Sequence, residues 1–201
     1  SRAPYSLPKS SVGYAFGNLT AWDTALGWRY PNPRIQEMYG TDPMGETAEK
    51  VAEKMGITRL RQDEFAFQSH ARAISAQDQG VFEPEIISVA INDRKGGKSI
   101  FRQDERPRRD TTMEALARLN PAFRPNGSVT AGNSSGMNDG AASLLLMSRN
   151  RSEKLGLKPM ARIVTSAACG VEPALMGLGP IAATRKALAR AGITIRDVQL
   201  F

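Results

Sequence analysis

Apolar positions along the 201-residue chain fall into three regimes. The first forty residues keep no sustained period. Tyr5, Tyr14, Phe16, Trp22, Trp28 and Tyr30 sit among Pro4, Pro8, Pro31 and Pro33, which predicts an irregular segment packed on something large, another subunit being one source. Helical spacing begins at Asp42-Pro43, with Asp as cap and Pro at the first position. Ala48, Val51, Ala52 and Met55 follow on one face, and Gly56 ends the helix. Thr58 caps a second helix, with Phe65, Ser69, Ala73 and Ala76 as its inward stripe, and Gly80 stops it. Alternation then predicts strands over 85–92 and 99–102, joined by a Lys95-Gly96-Gly97-Lys98 turn. Thr112 caps a short helix over 113–119, and Pro121 ends it.

After Asn126-Gly127 the pattern changes. A short strand over 128–131 runs into a stretch of small and turn-forming residues over 132–140. Apolar runs predict strands over 143–147 and 161–168, with a helix over 152–155 between them. A helix follows over 182–191, and a last apolar start occupies 198–201. Strands alternating with helices make the expected fold class α/β, built on a layered sheet whose strands need neighbours. The apolar start at the last residue adds the expectation that this sheet continues beyond Phe201.

Composition changes the picture little. Hydrophobic residues are 41% and charged ones 23%, the balance of an ordinary globular chain. The longest clean apolar run, residues 144–147, is far too short to span a bilayer, and residues 1–4 open no signal peptide. A single cysteine, Cys169, excludes an internal disulfide framework and fits a reducing cytosol, so a cytoplasmic location without membrane attachment is expected. The net charge of +7 admits nucleic acid, an acidic partner or a polyphosphate ligand. Most basic residues have acids beside them, so solvated surface charge is the plainer reading. Only Arg106-Pro107-Arg108-Arg109 and the 94–98 tip read as locally positive.

Candidate chemistry is sparse. His70 lies mid-helix with Ala66, Phe67, Ala73 and Ile74 as its neighbours in the helix, and so reads as a surface or half-buried residue without a base's partners. Cys169 has no local base and no helix start to lower its pKa, which predicts a buried structural thiol. One His and one Cys leave no zinc site of nitrogen and sulfur ligands. Gly177-Leu178-Gly179 before a helix lacks the lysine and spacing of a phosphate loop. Small residues around Ser134-Ser135 admit either an ordinary tight turn or a close backbone approach to a ligand.

A series of strings then resembles the thiolase family, in order along the whole chain: S-R-A-P at 1–4, D-T-A-L-G-W-R-Y-P-N-P at 23–33, and M-G-E-T-A-E-K-V-A at 44–52. Q-D-E-F-A at 62–66 follows, then D-T-T-M-E-A-L-A-R-L-N-P-A-F at 110–123. T-A-G-N-S-S-G-M-N-D-G-A-A at 130–142 and G-V-E-P-A-L-M-G-L-G-P at 170–180 complete the series. The second string is similar to members that handle longer or dicarboxylic 3-oxoacyl-CoA. The resemblance implies a thiolase-like layered fold in three parts. Residues 1–138 would form a coenzyme-A-binding loop domain, 139–160 the end of the N-terminal half, and 161–201 the start of the C-terminal half.

Carried over one residue at a time, the resemblance places Ser135 on the pantetheine amide, with Ser134 and Ala131 lining the same wall. Phe123 and Leu119 match positions packing on the pantetheine and adenine side, Met44 and Met176 border the acyl pocket, and Arg108 lies near the adenosine phosphates. Three departures stand out. Ala115 replaces a serine that binds adenine in some members, Ser134 replaces a commoner alanine, and Pro43 replaces a histidine of short-chain biosynthetic members. The family's nucleophilic cysteine would precede residue 1. Its N-E-A-F, G-H-P and C-x-G-x-G stretches would follow residue 201, and neither Cys169 nor His70 matches any of them. The implied activity is ping-pong acyl transfer between 3-oxoacyl-CoA and CoA in a homodimer or homotetramer, with these residues positioning the coenzyme and inactive by themselves. CoA is then a substrate, with acyl-CoA and the remaining thiolase segments as partners, and no metal or redox cofactor is implied. The alternative is a non-catalytic thiolase-like carrier of CoA or lipid; nucleic-acid binding is not expected.

Overall fold

The structure is a computed structural model that describes residues 4–9, 13, 16–25, 27–92 and 97–201. Packing divides the chain into two compact units, Ala48–Met137 and a second formed by Ser1–Thr47 with Asn138–Phe201. This is a partition by contact, a different quantity from the family boundaries expected at 138 and 160.

In the second unit, two-residue strands β1 (Tyr5–Ser6) and β2 (Trp22–Asp23) pair antiparallel. The Trp22 and Tyr30 rings lie 5.7 Å apart, and the Tyr30 hydroxyl donates to Ser6 Oγ at 2.6 Å. Most of the other rings remain open, Phe16 at 88% and Tyr5 at 73% exposure; Tyr14 lies outside the described residues. A helix, α1 (Pro33–Tyr39), occupies part of the stretch read as irregular. Its signal was present: Asn32 accepts from the Arg34 N–H, and Pro33 opens the first turn.

Helix α2 (Met44–Met55) runs from the second unit into the first, and the Thr47 N–H donates to the Pro43 carbonyl at 3.1 Å. Gly56, at φ 63°, ends it as expected. Helix α3 (Arg59–Asp78) starts on the Thr58 side chain, which accepts from Arg61 N. Its covered face matches the second half of the expected stripe and departs from the first. Ala73 and Ala76 turn inward, but Phe65 is 74% exposed and Ser69 is exposed, and Gln62, Asp63, Ala66 and His70 turn inward in their place. Polar anchors at Gln62 and Asp63, described below, outweigh the weak apolar contrast between the two sides of α3.

Strands β3 (Val89–Asn92) and β4 (Lys98–Phe101) form the expected hairpin, in register Val89↔Phe101 to Asn92↔Lys98. The stretch before it is partly a 3₁₀ turn, Glu83–Glu85, and the tip over 93–96 lies outside the described residues. Helix α4 (Met113–Ala117) starts on Thr112, which accepts from Ala115 N. The expected strand over 128–131 reduces to one bridge, Pro121↔Thr130.

In the second unit, α5 (Arg149–Lys154) is capped by Ser148, and α6 (Gly179–Ala191) follows a 3₁₀ stretch, Pro173–Leu178. The strands expected over 143–147 and 161–168 and the apolar start at 198–201 pair with nothing among the described residues. Alternation selects an extended backbone, but a strand exists only where a neighbour completes its ladder. Leu144, Leu145 and Leu146 are 84%, 80% and 70% exposed, an apolar run suited to a covered sheet.

Candidate functional site

Thr130, wholly buried, anchors the loop that carries the serines. Its N–H donates to Asn133 Oδ1 at 2.7 Å, its carbonyl accepts from Ser134 Oγ at 2.7 Å, and its hydroxyl accepts from Gly132 N at 3.2 Å. Asn133 holds the turn from the other side. Its Nδ2 donates to Asp63 Oδ1 at 2.9 Å and to the Ser128 carbonyl at 3.0 Å. Asp63, only 2% exposed, also accepts from Arg59 Nε at 2.7 Å. The same guanidinium donates to the carbonyls of Leu116 at 2.6 Å and Leu119 at 3.1 Å. The Arg59–Asp63 pair of α3 thus holds the end of α4 through the guanidinium and the 130–134 turn through the carboxylate.

A second carboxylate fixes the approach to that turn. Glu49 of α2 is buried and accepts from the N–H groups of Ser128 and Val129 and from the Ser128 hydroxyl, at 2.8–2.9 Å. Burial alone would raise its pKa. The bonds from Ser128 and Val129, helped by the Arg124 charge, together hold the carboxyl below its ordinary value of 4.5. Gln62 Nε2 donates to the same Ser128 hydroxyl at 2.8 Å.

Five of the eight expected coenzyme-contacting residues share this frame. Leu119 and Phe123 flank the bridge at Pro121, and Ala122 N donates to the Val129 carbonyl at 2.9 Å. Leu119 also presses on Gly132, where an added Cβ would meet Leu119 Cδ1 at 2.5 Å and Leu116 Cδ2 at 2.6 Å. Ala131 and Ser135 are exposed and Ser134 is half-buried, so the turn presents a small-residue surface beside the Leu119 side chain.

Arg108 belongs to the same compact unit and is exposed. Its N–H donates to His70 Nδ1 at 3.1 Å, and its guanidinium chelates Asp110 at 2.9 and 3.1 Å. Arg109 likewise grips Asp78, while Arg106 donates to the Met137 carbonyl at 3.1 Å. The stretch expected to be the most basic is therefore largely compensated. The arginine bonds hold the Asp110 and Asp78 carboxyls below the usual range, and both arginines shift upward in turn. Met44 opens α2 and Met176 lies in the Pro173–Leu178 turn; both are exposed and belong to the other unit.

Sequence reasoning missed Arg59, Asp63, Asn133 and Glu49. The only advance signal was two charged residues spaced i,i+4 at the start of α3, a pattern that a solvated helix face shares. His70 is half-buried, as read. Cys169 is half-buried where burial was expected; it sits in an extended stretch that has no sheet partner among the described residues to cover it. A shallow cleft of about 360 Å³ opens between α2 and the 126–128 turn. Glu49, Glu53 and Arg59 line it, so carboxylates outnumber the one cation, which disfavours a polyphosphate, and none of the eight residues lines it. Among the described residues no group of three or more His, Cys, Asp or Glu is placed to hold a metal, and no helix is long and apolar enough to cross a membrane.

Comparison with known proteins gives this frame its family. Residues 2–150 match the thiolase N-terminal domain and residues 157–201 the thiolase C-terminal domain. The chain is 46% identical over 200 residues to the 3-oxoadipyl-CoA/3-oxo-5,6-dehydrosuberyl-CoA thiolase of Escherichia coli K12, covering 100% of this chain and 50% of that protein. It is 48% identical over 195 residues to the beta-ketoadipyl-CoA thiolase of Pseudomonas aeruginosa, covering 97% and 48% respectively. Among solved structures, the Bacillus anthracis acetyl-CoA acetyltransferase matches with TM-score 0.79 at 41% identity, over 98% of this chain and 48% of that one. Human mitochondrial 3-ketoacyl-CoA thiolase matches with TM-score 0.79 at 34% identity, over 98% and 49%. The chain spans about half the length of the curated relatives it matches. By sequence over its whole length, and by a thiolase-like mixed helix and sheet fold, the chain belongs to the thiolase family.

Proposed function

We propose that these residues are the coenzyme-A-binding part of a thiolase that transfers an acyl group between 3-oxoacyl-CoA and CoA. The observation that carries the reading is the braced 130–135 turn. A chain of bonds from Asn133 through the buried Asp63 to Arg59 sets Ser134 and Ser135, on a small-residue surface, beside Leu119. Such a surface admits the slim pantetheine arm, and a serine hydroxyl can pair with its amide. Arg108 stands ready for a nucleotide phosphate, at the cost of sharing its guanidinium with Asp110. The relatives named for 3-oxoadipyl-CoA favour a dicarboxylic or longer acyl chain, bordered by Met44 and Met176. Assembly as a homodimer or homotetramer, and a cytoplasmic location, belong to the same reading.

The 201 residues do not catalyse alone. Their one histidine, His70, uses Nδ1 to accept from a backbone N–H, and their one cysteine, Cys169, has no histidine in its own compact unit to act as its base. Their part is to hold the coenzyme in register while nucleophile and proton carriers come from elsewhere in the protein. Calorimetric titration with CoA tests the reading. Weak binding is expected, with Arg108→Ala weakening it and flattening its salt dependence, and Ser135→Leu abolishing it. Binding that neither substitution alters places the site elsewhere; absence of binding by the unchanged chain refutes the reading.

A further inference from the structure

Among the described residues of its unit Asp63 is the most buried charged residue, at 2% exposure. Its two oxygens divide their work. Oδ2 takes the Arg59 guanidinium, whose remaining N–H groups reach the Leu116 and Leu119 carbonyls; Oδ1 takes Asn133, whose own carbonyl oxygen takes the Thr130 N–H. Leu119 and Ser134 lie on different chain segments; Arg59 of α3 holds the Leu119 carbonyl directly, and Asp63 bonds both that Arg59 and the Asn133 of the serine turn, so the two arms meet on one carboxylate. Buried hydrogen bonds to a charged acceptor are stronger than neutral ones and fix direction as well as distance.

We infer that Asp63 is a positioning residue for the pantetheine wall: acting through Arg59 and Asn133, it sets the gap between the Leu119 side chain and the Ser134–Ser135 turn. The inference rests on the coenzyme reading above. Asparagine at position 63 keeps the shape and supplies only one acceptor oxygen. Its amide then confronts a donor, either Asn133 Nδ2 or Arg59 Nε, so one arm of the tie is lost. Arg108 is bonded to Asp110 and His70 and not to this chain of contacts, so the nucleotide end should not respond.

The test compares the unchanged chain, Asp63→Asn and Ala52→Gly, the last weakening the same unit through a buried α2 position outside the tie. Each is titrated with CoA, with pantetheine and with adenosine 3′,5′-bisphosphate at a temperature where all are folded, and amide exchange is followed over 130–137. Asp63→Asn should weaken CoA and pantetheine by about tenfold, the loss of one hydrogen bond to a charged group. Adenosine bisphosphate affinity should be unchanged and exchange in the turn faster, while Ala52→Gly should alter neither. Equal weakening of all three ligands, or an equal effect of Ala52→Gly, reduces Asp63 to a purely structural role and overturns the inference. So does unchanged exchange with unchanged affinity. If the unchanged chain binds no CoA, the functional reading falls and the inference with it, an outcome distinct from a variant-specific failure.

Discussion

At the scale of single residues, the carboxylates inside the Ala48–Met137 unit do most of the specifying. Glu49 satisfies two backbone N–H groups and a hydroxyl that would otherwise be buried without acceptors. Glu49→Gln should therefore lower stability by about 2 kcal/mol, because a neutral amide supplies a weaker acceptor and an amide donor with no acceptor facing it. The pH dependence has a fixed sign. The folded carboxyl titrates below its ordinary 4.5, so its contribution is complete above that value and is lost as pH falls through the lower folded value. Thermal melts at neutral pH should separate Glu49→Gln from the unchanged chain, and the gap should close in acid. A gap that is constant with pH would show that the charge is irrelevant. Gly132 gives a second residue-scale prediction. Gly132→Ala drives a methyl into Leu116 and Leu119, costing about 1–3 kcal/mol by overpacking. CoA affinity should fall with it in the titration above, since Leu119 is displaced from the wall.

Elements differ in how far local chemistry suffices to make them. Thr58, Thr112, Ser148 and Asn32 each place a side-chain oxygen on an early helix N–H, and Thr58→Ala should cost about 1 kcal/mol in a melt. Helices form from bonds within one segment, which is why α2, α3, α4 and α6 were legible with ends within a few residues. The hairpin β3–β4 was legible too, because its partner lies one turn away. Residues 143–147 and 161–168 carry equally strong apolar patterns yet have no ladder among the described residues. Hydrogen exchange on this polypeptide should accordingly be fast there and slow in α2 and α3. Equal protection in both regions would mean that those stretches find partners in solution, through self-association of exposed edges.

For the whole molecule the leading expectation is functional silence. Incubated with acetoacetyl-CoA and CoA, the 201 residues should leave the thioester absorbance unchanged beyond the uncatalysed rate. Turnover that survives Cys169→Ala would refute this. The chain spans about half the length of its curated relatives, and it exposes large side chains such as Leu144, Met160 and Phe201. Exposed apolar area of this kind lowers stability and favours association, so light scattering should show particle size rising with concentration.

What the sequence determined by itself were features written in short stretches: helix caps, the hairpin, the lack of an acid beside His70 on its own helix face, and the order of strings shared with thiolases. Those depend on neighbours a few residues apart or on recognisable wording. The tertiary structure alone decided which face of the first half of α3 turns inward, that Asp110 and Asp78 compensate the arginines at 108 and 109, and that Asp63 joins Leu119 to the serine turn. Apart from the local Arg108–Asp110 and Arg59–Asp63 pairs, the partners in these cases lie from 31 to 70 residues apart along the chain. Their meeting is not encoded in local spacing, because a charged side chain reads alike on paper whether water or a buried amide receives it. Burial, which only folding supplies, turns Asp63 from one of many carboxylates on paper into the tie between α3 and the 130–134 turn.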